Sequence, residues 1–498
     1  MKKIINKITN KFKMYKPPKF LIYLLLFLVV ITVFLENKTL DNDTWFLLSH
    51  GKYVLENGIP YFEPFSIHEG FSFVMQQWLS ATIFYFVYSL FGKLGLRVLV
   101  SLIFSLIIYV ILKLTLLISN NKFYLASLIT FLISVFLIPC MVTRPQIFTY
   151  LILLFSMYLF ELYIKTRKIK YLYILPVLSL LLINLHASMW FMLFLFLLPF
   201  IIDSFNFKFK LIHGSNYFSI HIIISVLLMF LVGFINPYHL DAITYIFKSY
   251  NIKEINNYIG EMRLVSVKEF AGIIRYFLIF IVLSIYILYK KNDLKLRYFL
   301  LLVGTLYLGI SSYKGYNLFI LGGIYPLSYY LNKEFLEYKK KNFSKKYMIL
   351  STLTIILVGG VLTEISIFTN QKKVIYDAPI QLSVNYLEKN YSKNIKLYTD
   401  YNNGSYAIFK GFKVYIDPRA EVYLKSNNKK EDIYLEYYNL QHGLIDVDDF
   451  LEKYNFDVIL LDTKDKIYDY FNDEEKKNDN LYKEVYNDKE YVIYERIS

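Results

Sequence analysis

The stretch Trp78–Gly92, WLSATIFYFVYSLFG, decides the fold. It is apolar, but shorter than the roughly 20 residues that a membrane-crossing helix needs. Eleven other apolar runs surround it, at 20–36, 96–119, 123–141, 145–164, 171–186, 188–203, 217–235, 272–290, 296–313, 315–331 and 346–368. Whether 78–92 crosses sets the side of every later loop. If it lies along the interface, Lys113, Lys122, Lys165–Lys170, Lys208, Lys210, Lys290–Arg297 and Lys333–Lys346 fall nearly all on one side. If it crosses, the clusters that follow it flip outward. Basic loops stay cytoplasmic, so the interfacial reading is preferred. The predicted architecture is an α-helical polytopic membrane protein with about 11 transmembrane helices and a first outer loop over 36–95. The start of the chain, MKKIINKITNKFKMYKPPK, has seven lysines and no acid, and no small-residue cleavage site follows the run 21–35. An uncleaved first helix with a cytoplasmic N-terminus is expected.

Composition agrees with a membrane protein. Of 498 residues, 56% are hydrophobic and 19% charged, with 48 Tyr and 43 Phe. Soluble domains carry about 25% charged residues. Mean hydropathy is +0.39. Cys140 is the single cysteine, which excludes an internal disulfide and a cysteine-based zinc site. From Asp377 onward 24 acidic residues face 17 basic ones, whereas residues 1–376 carry 38 basic against 16 acidic. The basic excess therefore belongs to the membrane part. It reads as cytoplasmic loops and not as a nucleic-acid surface.

Residues 1–370 form the expected transmembrane domain, 371–376 a linker and 377–498 a small α/β domain on the outer side. Within the last, IKLYTD (395–400), KVYIDP (413–418) and FDVILLD (456–462) read as strands. SVNYLEKN (383–390) and DVDDFLEKYN (446–455) read as helices, the second with aspartates in its first turn. The end of the chain reads as a hairpin turning at Asn487-Asp488. Gly404 and Gly411 do not make a nucleotide loop.

With this topology the unusual polar residues gather on the outer side. Asp41 and Asp43 follow the first span; such a pair can take a proton or hold a divalent cation, Mg or Mn. The plain alternative is two solvated loop acids. Arg144 suits a phosphate through charge-assisted bonds, or snorkels to lipid headgroups. Asn184 and His186 sit between two short apolar halves, where His186 either binds phosphate or a sugar hydroxyl or caps the turn. Asn236-Pro237-Tyr238-His239 ends the seventh span. Glu261 and Arg263 precede the eighth, and their alternative is a mutual ion pair. Lys314 either neutralises a leaving phosphate or marks a loop. Asp417-Pro418-Arg419 reads as a binding site or as a strand-end ion pair, and the second is preferred. The loop stretches flanking Gly58-Ile59-Pro60 can roof a site at the membrane surface.

The stretch Asp41-x-Asp43-Thr44-Trp45, Gly51-Lys52-Tyr53-Val54, Gly58-Ile59-Pro60, Pro64-Phe65-Ser66 and Gln77-Trp78-Leu79 resembles the first outer loop of bacterial GT-C superfamily glycosyltransferases. Arg144-Pro-Gln-x-Phe-Thr149, Asn184-Leu-His-Ala-Ser188 and Asn236-Pro-Tyr238 look like further motifs of that group. Tyr401-Asn-Asn-Gly404 and Ile416-Asp-Pro-Arg419 resemble its C-terminal domain. Glu63 stands where the group tends to have Asp, and Phe46 and Leu47 where it often has Trp and His. The resemblance implies an inverting transfer of a sugar from a polyprenyl-phosphate donor to a glycan, lipid or protein acceptor in the cell envelope. It implies Asp43 or Asp41 as general base or metal ligand. Arg144, His186 and Lys314 would serve the phosphate, and Glu261 and Arg263 the acceptor or sugar. Two other classes compete. A transporter or flippase of a lipid-linked substrate needs polar residues at mid-membrane, and few are found. A non-catalytic envelope scaffold predicts that Asp41 and Asp43 are replaceable.

Overall fold

The computed structural model describes residues 19–35, 40–209, 212–250, 270–288, 294–337, 376–472 and 481–497. The expected span 346–368, residues 371–375, Glu261 and Arg263 lie outside the described residues.

The helical part opens with α1 (Lys19–Leu35) and α2 (Asn42–Asn57). Next, α3 (Trp78–Ile118) breaks at Gly92, where φ is 58° and ψ −153°. A side chain would strain that backbone, and glycine does not. The stretch 78–91 is therefore a helix in its own right. Beyond the break, Leu94, Val98, Leu102, Leu106 and Tyr109 are exposed, while Leu96, Ile103, Phe104, Ile107, Ile111 and Leu114 are buried. Steps of three and four keep each set on one helix face. An apolar face left open along a whole helix belongs against lipid.

The helices α4 (Phe123–Leu137) and α5 (Gln146–Thr166) follow. Among the described residues, α3, the segment Phe123–Cys140 and α5 are long and apolar enough to cross a membrane. Shorter helices are α6 (Leu175–Leu185), α7 (Trp190–Asp203), α8 (Ile220–Leu231), α9 (Leu240–Tyr250), α10 (Phe270–Leu288), α11 (Leu296–Ser311), α12 (Tyr313–Gly323) and α13 (Leu327–Glu337). The sequence suggests one span over 315–331; the structure divides it between α12 and α13. Pro326 lies at the break, where it has no N–H to continue the helix. Three short strands, β1 (Lys208–Phe209), β2 (Ile212–His213) and β3 (Leu294–Lys295), tie the chain after α7 to the start of α11.

The C-terminal region contains α14 (Gln381–Asn390), β4 (Leu397–Thr399), α15 (Gly404–Phe409), α16 (Ile433–Gln441), α17 (Val447–Tyr454), β5 (Val458–Asp462), α18 (Lys466–Asn472), β6 (Tyr482–Asn487) and β7 (Tyr491–Arg496). Its sheet has the order β4-β5-β7-β6, with β4 and β5 parallel and the rest antiparallel. Asp446 caps α17 by accepting the amides of Asp448 and Asp449. The expected strand 413–418 forms only isolated bridges, Val414 to Leu397 on one side and to Ser66 on the other. Half of its pairing is thus given to the first loop.

The loop between α2 and α3 lies on this C-terminal sheet region. Ile67 N–H donates to the Val414 carbonyl at 3.0 Å, and Val414 N–H to the Phe65 carbonyl at 3.2 Å. Ser72 N–H reaches the Asn428 carbonyl at 3.1 Å, and Leu40 N–H the Asp377 carbonyl at 3.0 Å. On its other side α2 meets the first part of α3 backbone to backbone. A Cβ added at Gly51 would lie 2.1 Å from the Ala81 carbonyl oxygen.

Candidate active site

The site begins with the N-terminus of α2. Asp41 is its cap: the extended backbone there lets its carboxylate accept the Thr44 amide at 2.8 Å and the Thr44 hydroxyl. Such a cap satisfies one of the four open amides of a helix start and sets a negative charge on its positive end. Asp43 lies in the first turn. Pro145 opens α5, and Arg144 just before it points back to α2. Its Nε and NH2 both lie 2.8 Å from Asp41 Oδ2, and its NH1 lies 2.8 Å from Asp43 Oδ2. One guanidinium thus joins both acids. The side chains keep 21% (Arg144), 34% (Asp41) and 32% (Asp43) of their exposure, so the group is open to a ligand.

One turn into α5, Thr149 shares a 2.8 Å hydrogen bond with Nδ1 of the buried His186. The turn that carries His186 is held from two sides. Ala187 N–H donates to the Gln76 carbonyl at 2.9 Å and Ser188 N–H to Gln76 Oε1 at 3.2 Å. Ser80 Oγ donates to the Leu185 carbonyl at 2.6 Å. Asn184 accepts Trp78 Nε1–H at 3.1 Å and donates to the carbonyls of Leu180 and Ile235, each at 2.9 Å. Its amide is spent on the protein, and its place is that of a brace. Asn236 likewise folds the turn after α8, accepting the Tyr238 amide at 2.8 Å, and Tyr238 OH donates to the Pro60 carbonyl at 2.7 Å. Lys314 is exposed in the first turn of α12.

The structure therefore brings Asp41, Asp43 and Arg144 into one cluster, with His186 hydrogen-bonded to Thr149 in the first turn of α5. Among the described residues, no group of three or more His, Cys, Asp or Glu side chains is placed to hold a metal. The only carboxylates proposed for a cation, Asp41 and Asp43, are both bound to Arg144, and Asp41 also caps α2. This donor set does not fit a divalent cation as it stands.

One feature is wider than the sequence suggests. Arg419 pairs with Asp417, as a strand-end pair would, through Nε–Oδ1 at 2.7 Å and NH2–Oδ2 at 2.6 Å. It also forks onto Glu63 of the first loop, with both contacts at 2.9 Å, and reaches His50 Nε2 of α2 at 3.1 Å. Tyr423 OH donates to Asp417. All of these residues are buried. Burial works against the Arg419 charge, but Asp417 and Glu63 hold it firmly protonated. Burial pushes the Glu63 carboxyl above its ordinary range while Arg419 opposes the shift. Burial, with Arg419 adding to it, keeps His50 neutral. A local sequence signal for this cluster exists only in Asp417-Pro418-Arg419.

The fold is similar to those of solved oligosaccharyltransferase and ArnT structures. The oligosaccharyltransferase of Archaeoglobus fulgidus in its apo form aligns with a TM-score of 0.62 at 10% identity, over 90% of this chain and 70% of that one. The same enzyme tethered to an acceptor peptide containing the NVT sequon gives 0.61 at 10% identity, with the same coverage of both chains. ArnT from Cupriavidus metallidurans bound to undecaprenyl phosphate gives 0.55 at 10% identity, over 95% of this chain and 97% of that one. A further structure of the archaeal enzyme, in complex with Zn and sulfate, gives 0.57 at 11% identity, over 88% and 68%. No family model and no curated protein matches the sequence.

Proposed function

We propose that this protein is an inverting membrane glycosyltransferase that moves a sugar from a polyprenyl-phosphate donor to a glycan, lipid or protein acceptor of the cell envelope. The observation that carries the reading is the half-exposed Asp41–Arg144–Asp43 cluster at the start of α2, on a GT-C fold. The fold neighbours point the same way: one was solved with undecaprenyl phosphate and another with an acceptor peptide. The site would face outward and the N-terminus inward, in the plasma membrane.

In this reading Asp43 is the general base. Asp41 is committed to the cap of α2, and Asp43 is one turn-position further in and half-exposed. The acceptor hydroxyl attacks the anomeric carbon from the face opposite the phosphate. The new C–O bond forms as the bond from that carbon to the phosphate oxygen breaks, and the hydroxyl proton passes to Asp43. The lipid phosphate leaves with the bonding electrons. Arg144 and Lys314, with His186 as a hydrogen-bonding partner, would stabilise its charge. Asn184 would act on the substrate only by bracing the His186 turn. Glu261 and Arg263 are proposed contacts for the acceptor or sugar. No step is routed through a metal.

The test is a strain carrying Asp43→Asn at equal expression, with profiling of surface glycans and lipid-linked sugars. Loss of a general base lowers such a step by about 10²–10⁴-fold. The expected result is a glycan lacking one sugar while its lipid-linked donor accumulates. A profile matching wild type, where a full deletion changes it, would falsify the assignment of Asp43.

A further inference from the structure

We propose that Arg419, in the C-terminal domain, is a positioning residue for the acid pair. It holds α2 directly through His50 and the loop that follows α2 through Glu63, so that Asp43 and Arg144 meet in register only while the C-terminal domain is docked. The proposal rests on the glycosyltransferase reading for its catalytic consequence, though not for its structural one.

Three observations carry it. First, His50 and Asp43 are seven residues apart on α2, two turns, and so lie near one helix face. Fixing His50 fixes the face that presents Asp43. Second, the Arg419 guanidinium uses all five of its N–H groups. Nε serves Asp417, NH1 serves Glu63 and His50, and NH2 serves Glu63 and Asp417. A planar fork so filled has one orientation, which lysine cannot reproduce. Third, the apolar side of α2 is held by the same domain. The buried Trp45 packs edge-on to Tyr406 at 4.7 Å and against Phe409 at 4.9 Å.

A buried ion cluster is a poor way to gain stability, because burying its charges offsets most of their attraction. What it supplies here is an angle. The guanidinium also lies against Phe65 and Phe73, at 5.3 and 5.7 Å from the ring centres, which closes the cluster to water.

The experiment uses the full chain in detergent. Arg419→Lys and Glu63→Gln are compared with wild type by hydrogen–deuterium exchange and by steady-state kinetics. The substrates are those named by the Asp43→Asn profile. In both variants, exchange over 42–50 is expected to rise at least tenfold while β5 and β7 keep their protection. The kcat is expected to fall at least tenfold with donor KM within twofold, and Glu63→Asp to recover part of it. Unchanged exchange over 42–50 overturns the proposal, whatever the activity. So does exchange that rises equally in β5 and β7, because Arg419 is then a prop for the whole domain. If Arg419→Lys does not fold, Glu63→Gln alone decides by the same two criteria. If exchange behaves as expected but no variant changes transfer, the positioning of α2 stands and its catalytic consequence fails.

Discussion

Arg144 stands just before α5 and binds two carboxylates; Arg297 reaches the far part of the same helix and also binds two. Arg297 lies 3.0 Å from Glu161 and 2.9 Å from Asp203, and Tyr298 OH donates to Glu161 at 2.8 Å. Glu161 comes seventeen residues after Arg144, roughly 25 Å along a helix rising 1.5 Å per residue. The two clusters have the same charge, one cation against two acids. They differ in access. Side-chain exposure is 7% for Arg297, 4% for Glu161 and 0% for Asp203, against 21–34% at the Arg144 end. The Arg297 group is closed, and its bonds are internal. The Arg144 group is partly exposed to solvent. Charge count does not distinguish a site from a structural clamp; exposure does.

The comparison can be broken by removing each arginine in turn. Arg297→Leu leaves two buried carboxylates with no cation. A loss of about 3–5 kcal/mol is expected, read as a lowered Tm in detergent. An unchanged Tm would mean that this cluster is not the clamp described here. Midway in effect is Thr149→Val, on α5 between the two clusters. It leaves His186 Nδ1 without its partner, an expected cost of about 1–3 kcal/mol in the same melt. The smallest change in stability is expected from Arg144→Leu, about 1 kcal/mol, because its pairs are partly exposed and screened by solvent. The sugar transfer proposed above should nonetheless fall by about 10²-fold or more in that variant, on the scale of losing one charge-stabilising donor. A large drop in Tm with transfer retained would reverse the two roles.

How much of this was legible in the sequence follows from the range of each interaction. The apolar runs and the change of pattern after 376 come from local periodicity, which a sequence carries directly. So do the cap at Asp446 and the separate character of 78–91. Asp41, Asp43 and Arg144 stand out singly, as charges at the ends of apolar runs. That Arg144 bonds both acids does not, because 103 residues separate Asp41 from it. The Arg297 cluster is harder still. Glu161 and Arg297 each look like an ordinary charge at the end of a span, and only packing shows that they are buried together. Glu63 reads as a mere departure from a motif. Its partner is 356 residues away, beyond any periodic signal.

That distance has a consequence for the making of the protein. Glu63 is synthesised early and Arg419 late. At 5–20 residues per second, roughly 20–70 s pass between them. Throughout that interval the first loop has neither its cation nor the extended segment at Val414 against which Phe65 and Ile67 pair. A nascent chain must therefore hold an unfinished, partly apolar hairpin loop until its last quarter emerges. A ribosome that stalls or a chain cut short after α13 leaves behind α1 to α13, with a first loop that has nothing to close upon.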